Sequence, residues 1–156
     1  MSEFPAPMPP PRPDALPSAG PSGPRAGLWR RFAALLVDGI LVGIIGGVVY
    51  AMDATLGSLV SLAIGIAYFG YLEGSNSGQT LGKRWLGIRV IDFNTGGPIG
   101  YGRGVIRYFA RILSYLACFL GYFWMLWDKE KQCWHDKIAS DVVVPVSSYP
   151  VASWPN

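Results

Sequence analysis

Phe32 to Met52 reads FAALLVDGILVGIIGGVVYAM, twenty-one residues carrying one charge, Asp38. At a rise of 1.5 Å per residue, a helix of this length crosses a hydrocarbon core of ~30 Å, so the block reads as a membrane span. Trp29, Arg30 and Arg31 stand before it. An aromatic anchor and two cations at headgroup level predict a cytoplasmic N-terminus. After a link at residues 53–55 without Lys or Arg comes LGSLVSLAIGIAYFGYL, Leu56 to Leu72. Seventeen residues is the lower limit for a span that returns the chain. Lys83, Arg84, Arg89 and Arg103 then follow in one loop, which agrees with that orientation.

Composition points the same way. The chain has 156 residues, 51% hydrophobic and only 15% charged, against about 25% charged in soluble domains. Net charge is +3, but the cations flank apolar blocks instead of lining a face interleaved with aromatics, so nucleic acid is not expected as a partner. Cys118 falls in an apolar block and Cys133 in a polar segment, which argues against a structural disulfide. No basic region leads into an early apolar core, so the first span reads as a retained anchor and not a signal peptide.

Residues 1–27 hold nine of the thirteen prolines, among Gly, Ser and Ala. Such a segment cannot bury enough surface to offset its ordering entropy and is predicted to be a disordered tail with polyproline II character. It serves either as a solvated tether or, through Pro7 to Pro13, as a ligand for a proline-binding groove. The domain expectation is a tail at 1–27, a membrane domain at 28–144 and a second tail at 145–156.

Both spans carry small residues at fourfold spacing, Gly39, Gly43 and Gly47 on the first and Gly57, Ser61 and Gly65 on the second. Such ridges let backbones approach closely in lipid, either within a hairpin of the two spans or between copies. Beyond them, WLGIRVI at residues 85–91 suggests a short strand, and residues 94–98, NTGGP, supply turn chemistry for a small cytoplasmic β-hairpin. Val142, Val143 and Val144 add a strand to it if they lie on the same side. The apolar block Val105 to Trp127 makes that a question, since one crossing would put Lys129, Lys131 and Lys137 outside. Arg103, Arg107 and Arg111 at fourfold spacing give its first part an interfacial, amphipathic form. The fold class is therefore all-α transmembrane, with two to three membrane helices, a small β-hairpin and a disordered N-terminal tail.

Asp38 lies about 9 Å along the first helix from Phe32. A charged carboxylate there costs at least ~2.5 kcal/mol, so it needs a partner or a proton. Arg31, seven residues back, points toward the headgroups, which leaves Arg107 or Arg111 as the expected partner. Two readings stand: an ion or proton site with raised pKa, or a salt bridge that fixes how the first and third segments pack. His135, beside Asp136 and two residues from Cys133, fits no zinc spacing, so no metal is expected. Residues 78–83, GQTLGK, are one residue short of a phosphate loop and lack Ser or Thr after Lys83. Gly100, Gly102 and Gly104 open onto an apolar block and not a βαβ unit. With no cluster of nucleophile, acid and base, neither an enzyme nor a cofactor is expected.

Residues 30–38 (RRFAALLVD), 78–84 (GQTLGKR), 127–129 (WDK) and 135–139 (HDKIA), the last followed by a valine strand, resemble in order and spacing the RDD family over residues 28–144. The resemblance implies a multi-pass protein of a bacterial cytoplasmic membrane, with a proline-rich tail in actinobacterial members. It maps the family's arginine and two aspartates onto Arg31, Asp38 and Asp136, with Arg30 and Asp128 as rivals for the first and last. It also implies transport of an unidentified ligand, ion and proton exchange being suggested for some members. Trp134 stands where Ser or Thr is common before the His-Asp pair, and Asp141 where a Thr is common before the valines; the first departure puts any shared side-chain role at that position in doubt. Two roles follow: a transport component using Asp38, or a scaffold that docks on a larger membrane complex; the expected partners are the lipid bilayer and either further copies of the chain or another membrane protein.

Overall fold

The computed structural model describes residues 24–117 and 120–148. Most of the expected proline-rich tail and of the C-terminal tail, together with Cys118, lies outside the described residues. Arg25 and Ala26, by contrast, belong to the folded unit. Ala26 is buried and its N–H donates to the Val143 carbonyl at 2.9 Å, while Arg25 pairs with Glu130 at 2.6 Å.

Helix α1 runs Leu28–Met52 and α2 runs Ala54–Gly74, both long and apolar enough to cross a membrane. Asp53 alone links them, in an extended conformation, and its carboxylate accepts from the Leu56 N–H at 2.7 Å, capping α2. The two helices form the expected close hairpin, but only one ridge serves it. Gly57 leaves no room for a Cβ against the Tyr50 backbone, and Ser61 sits against Gly46. Gly39, Gly43 and Gly47 have nothing within 4 Å of where a Cβ would stand. Spacing alone does not reveal which face turns inward, because beyond Asp38 the helix is apolar all round.

A π-helical turn, Ile66–Tyr71, interrupts α2. Beside it lies α4, Tyr101–Leu116, whose backbone approaches closely where Gly104 meets the Gly70 carbonyl and Gly74 meets Tyr101. On α4, Gly104, Arg107, Ala110, Arg111 and Ser114 are buried while Ile106, Phe109, Leu113 and Leu116 are exposed. A helix with its charges inward and its apolar stripe outward inverts the pattern of a water-soluble protein and suits a lipid surround.

Between α2 and α4 come a short helix, α3 (Leu81–Trp85), and a strand, β1 (Ile88–Asp92). After β1 the expected turn forms, the Asp92 carboxylate accepting from Asn94 and Thr95 N–H groups, but it leads into α4 and not into a return strand. The partner is β2, Asp141–Pro145, antiparallel with Asp92 opposite Asp141 and Ile88 opposite Pro145. The sheet is thus two distant strands and not a tight hairpin. Its register brings the segments before and after the third apolar block to one sheet. That block folds back as α4 and α5, Leu120–Leu126, with Gly121 tight against Ser114 and the Tyr115 and Tyr122 rings stacked at 5.6 Å. A further short helix, α6 (Trp134–Ile138), precedes β2.

Candidate functional site: a buried charge network

At the Arg31 end of the hairpin, eight Asp, Glu, Lys and Arg side chains from six elements are buried together: Arg31 and Asp38 of α1, Glu73 of α2, Lys83 of α3, Arg107 and Arg111 of α4, Asp136 of α6 and Asp141 of β2. Three acidic residues converge on Arg107. Its Nε donates to Glu73 at 2.8 Å, and its Nη1 meets Asp136 at 2.5 Å and also Asp141. Arg111 donates to both Glu73 oxygens, at 2.6 and 2.8 Å, and lies over the Phe69 ring at 4.7 Å. Lys83 completes the set around Glu73 at 2.5 Å. Asp136 is held from the other side by Arg31 at 2.5 Å and accepts the Cys133 N–H at 2.9 Å, so it also caps α6. Arg31 further donates to the Ala26 and Lys131 carbonyls, tying the start of α1 to the C-terminal segment.

Asp38 is not paired with Arg107 or Arg111, contrary to expectation. Its oxygens accept from the Tyr68 hydroxyl at 2.7 Å, the Thr80 hydroxyl at 2.5 Å and the Gly82 N–H at 2.7 Å. The two arginines are already engaged by Glu73, Asp136 and Asp141, and neutral donors from α2 and α3 satisfy Asp38 instead. Gly82 has no room for a Cβ against the Ala34 carbonyl, so α3 can reach Asp38 only through a glycine. Of the paired candidates from the sequence, Arg31 and Asp136 are buried and bonded to each other. Arg30 is exposed, and Asp128 pairs with Lys137 while accepting from two N–H groups of its own loop.

The electrostatics outside the spans divide the acids. Burial raises a carboxyl pKa, yet for Asp136 the neighbouring Arg107 and Arg31 outweigh it and hold the group well below the usual range. At Asp141 burial prevails over Arg107, and the carboxyl is pushed up to about 7. Two carboxylates on one guanidinium thus split, one ionised and one poised to hold a proton near neutrality. Burial also lowers Lys83 to about 8 and His135 well below its ordinary value, and raises the Cys133 thiol to about 12.

Cys133, His135 and Asp136 bring ligand atoms within 4.8 Å of one another. That set does not suit a metal ion, because Arg31 lies 2.5 Å from one Asp136 oxygen and Arg107 2.5 Å from the other. A dication would have to displace both. A cavity of ≈ 30 Å³ lies within the network, bordered by Arg31, Asp38, Glu73, Lys83, Arg107 and Arg111. It admits an occupant of about water size and excludes an organic solute.

Sequence reasoning missed Glu73, Lys83, Tyr68 and Thr80. Glu73 follows directly on Leu72, so extending the second span by one residue would have placed an acid inside it. The hydroxyls carry no signal of that kind.

Fold and site together define a membrane-type protein with apolar helices and a charged core buried at one end. Residues 25–140 match the model of the RDD family. The chain belongs to that family. It is 34% identical over 109 residues to the proline-rich antigen homolog of Mycobacterium tuberculosis, covering 65% of this chain and 45% of that protein. It is also 34% identical over 88 residues to the proline-rich antigen of Mycobacterium leprae, covering 56% and 35%. The chain thus spans less than half the length of these mycobacterial relatives. The uncharacterized protein YxaI of Bacillus subtilis is 32% identical over 147 residues, covering 76% of this chain and 96% of that one. No solved structure matches.

Proposed function

We propose that the protein is a non-enzymatic, ion-handling component of the cell membrane, in which the buried network takes up and releases a proton in step with a small ion. The observation that carries this reading is the arrangement of Glu73, Asp136 and Asp141 on Arg107, with Asp141 poised near pH 7. Buried ionic groups are costly, and replacing them with apolar residues is often neutral or stabilising, so a fold does not need eight of them to be stable. Of the eight, Arg31, Asp38 and Glu73 lie on the two spans, and charges within a span are by default functional. The proton-bearing group on this reading is Asp141, since Asp38 is engaged by hydroxyl and amide donors.

Two spans and a folded-back segment enclose no pathway, so the active form is a homo-oligomer. The open face of α1 at Gly39, Gly43 and Gly47 supports a packed contact there. Lys83, Arg84, Arg103, Lys129, Lys131 and Lys137 belong to the segments around the sheet, which supports a cytoplasmic location for that end and for the N-terminus. The test is proton flux into proteoliposomes, read by an internal pH dye under an imposed ion gradient. Wild type should carry flux and Asp141→Asn should abolish it with insertion unchanged; equal flux in both would refute the reading.

The same open glycine face favours a second reading, an accessory subunit that docks on a larger membrane complex. It predicts a stoichiometric partner on purification from native membrane in mild detergent, and a chain that purifies alone as a homo-oligomer counts against it.

A further inference from the structure

We propose that the ≈ 30 Å³ cavity is a binding site for one small monatomic anion of halide size, held between Arg111, Lys83, Arg107 and Arg31. The inference rests on the ion-handling reading for its use, but binding itself requires no transport.

Three observations carry it. The first is the sign of the lining: four cationic side chains border the space against two carboxylates, Asp38 and Glu73. Asp136 and Asp141, which pair with Arg31 and Arg107, stand behind the lining, so the excess of positive charge lies at the space itself. The second is an unmet donor. Arg111 is only 5% exposed, both its bonds to Glu73 run through Nη2, and its buried Nε has no acceptor. A buried guanidinium N–H left without an acceptor costs more than a neutral one, and an anion in the adjoining cavity would supply the missing partner. The third is size, since the space holds an occupant of about water dimensions and no polyatomic metabolite.

The wider charge count agrees. Outside the lining, Asp136 and Asp141 balance Arg31 and Arg107, but Asp141 retains its proton up to about pH 7. Asp141 is faced by Arg107 from α4, by Glu73 from α2 and by Asp136 from α6, while Asp92 opposite it on β1 is paired away with Arg103. With Asp141 protonated, the network holds four cations against three carboxylates, one anion short of balance.

The test uses the full chain in detergent micelles with chloride as the probe, followed by chloride-35 NMR line broadening. Wild type should give saturable broadening, reversed by bromide and not by gluconate. Arg111→Lys keeps the charge but removes the Nε donor, and Lys83→Met removes a charge at the other side of the cavity. Each should weaken binding about ten-fold or more, the worth of one charge-assisted hydrogen bond. Arg84→Gln, at an exposed cation of the same helix as Lys83, should change nothing. Linear, unsaturable broadening in wild type means a water-filled cavity and overturns the proposal, as does equal binding in all four proteins. If one variant does not fold, the other and the wild-type titration still decide. Because no gradient is present, loss of proton flux in vesicles leaves this result standing, and failure to bind chloride leaves the flux measurement standing.

Discussion

Arg31 and Asp136 stand 105 positions apart in sequence and 2.5 Å apart in space, both buried, and through them the entry of the first span is bonded to α6. Removing the acid alone leaves two guanidiniums, those of Arg31 and Arg107, without a partner they share. Asp136→Asn should therefore destabilise the fold by about 3–5 kcal/mol, the cost of an uncompensated buried charge. Tryptophan fluorescence during denaturant unfolding in micelles measures it. The pair Arg31→Met and Asp136→Leu combined should lose less than the sum of the single changes, by about 0.5–3 kcal/mol. Strict additivity would mean that the contact does not couple the two ends.

At Asp38 the ranking of substitutions tests the hydroxyl and amide clamp. Asn keeps one acceptor oxygen, and the Thr80 hydroxyl can turn to accept from the new amide, so Asp38→Asn should cost about 1 kcal/mol. Asp38→Leu strands the donors of Tyr68, Thr80 and Gly82 and should cost several times more, at about 1–3 kcal/mol for each buried group left unmet. An Asn variant as damaged as the Leu variant would point to a cation partner for Asp38 after all.

Gly57→Ala should loosen the hairpin by about 1–3 kcal/mol, because the added methyl meets the Tyr50 backbone, which cannot step aside. Gly43→Ala meets nothing within 4 Å and should leave the stability of the single chain unchanged. Thermal unfolding of dilute, monodisperse protein separates the two. A fall in oligomer content for Gly43→Ala at unchanged monomer stability is the outcome expected if this face packs between copies.

What the sequence made legible follows from the kind of signal each feature carries. The spans declare themselves by apolar length, and Val142 to Val144 by β-branching, neither of which depends on anything distant. The pairing of Asp92 with Asp141 spans a whole helical segment and rests on a register no local pattern encodes. On α4 the arginine spacing correctly indicates a charged stripe, and its inward direction follows once the surround is lipid. On α1 no such contrast exists: Gly46 makes the contact and Gly47 does not, a single-position difference in a helix apolar on every side. The partners of Asp38 were hidden for a related reason. Charged residues announce a need for company, whereas Tyr68 and Thr80 look like any hydroxyl at the end of a span or the start of a helix.

Asp141 should give stability an unusual pH dependence. Its folded pKa, about 7, lies above its ordinary 3.8, so the native state binds the proton more tightly than the unfolded chain. Stability contributed by this group is full at low pH and falls as pH rises from about 4 to about 7, with a slope of at most about 1.4 kcal/mol per pH unit for one proton. Asp136 acts oppositely, its contribution being present above 3.8 and lost below it. Asp141→Asn should accordingly be more stable than wild type at pH 8, with the gap narrowing as pH drops toward 4. Melting curves at four pH values in that range check the sign, and a gap that widens on acidification would show Asp141 to be ionised in the native state.

Cys133 reports whether the Arg31 and Asp136 contact also governs local opening. The thiol is fully buried, lies 3.8 Å from Arg31 Nη1, and is pushed up to about 12 by burial, so almost no thiolate exists at neutral pH. In a Cys118→Ser background, maleimide should label native protein slowly and SDS-unfolded protein at once. Arg31→Gln removes the guanidinium that holds Asp136, and Asp136 in turn accepts the Cys133 N–H at 2.9 Å. The start of α6 should then open more often and labelling should accelerate by about ten-fold for each ~1.4 kcal/mol lost from the closed state. Arg30→Gln, at the exposed neighbour, should label at the wild-type rate. Equal acceleration in both variants would assign the effect to general loss of positive charge at the helix entry, and the specific tie between α1 and α6 would be wrong.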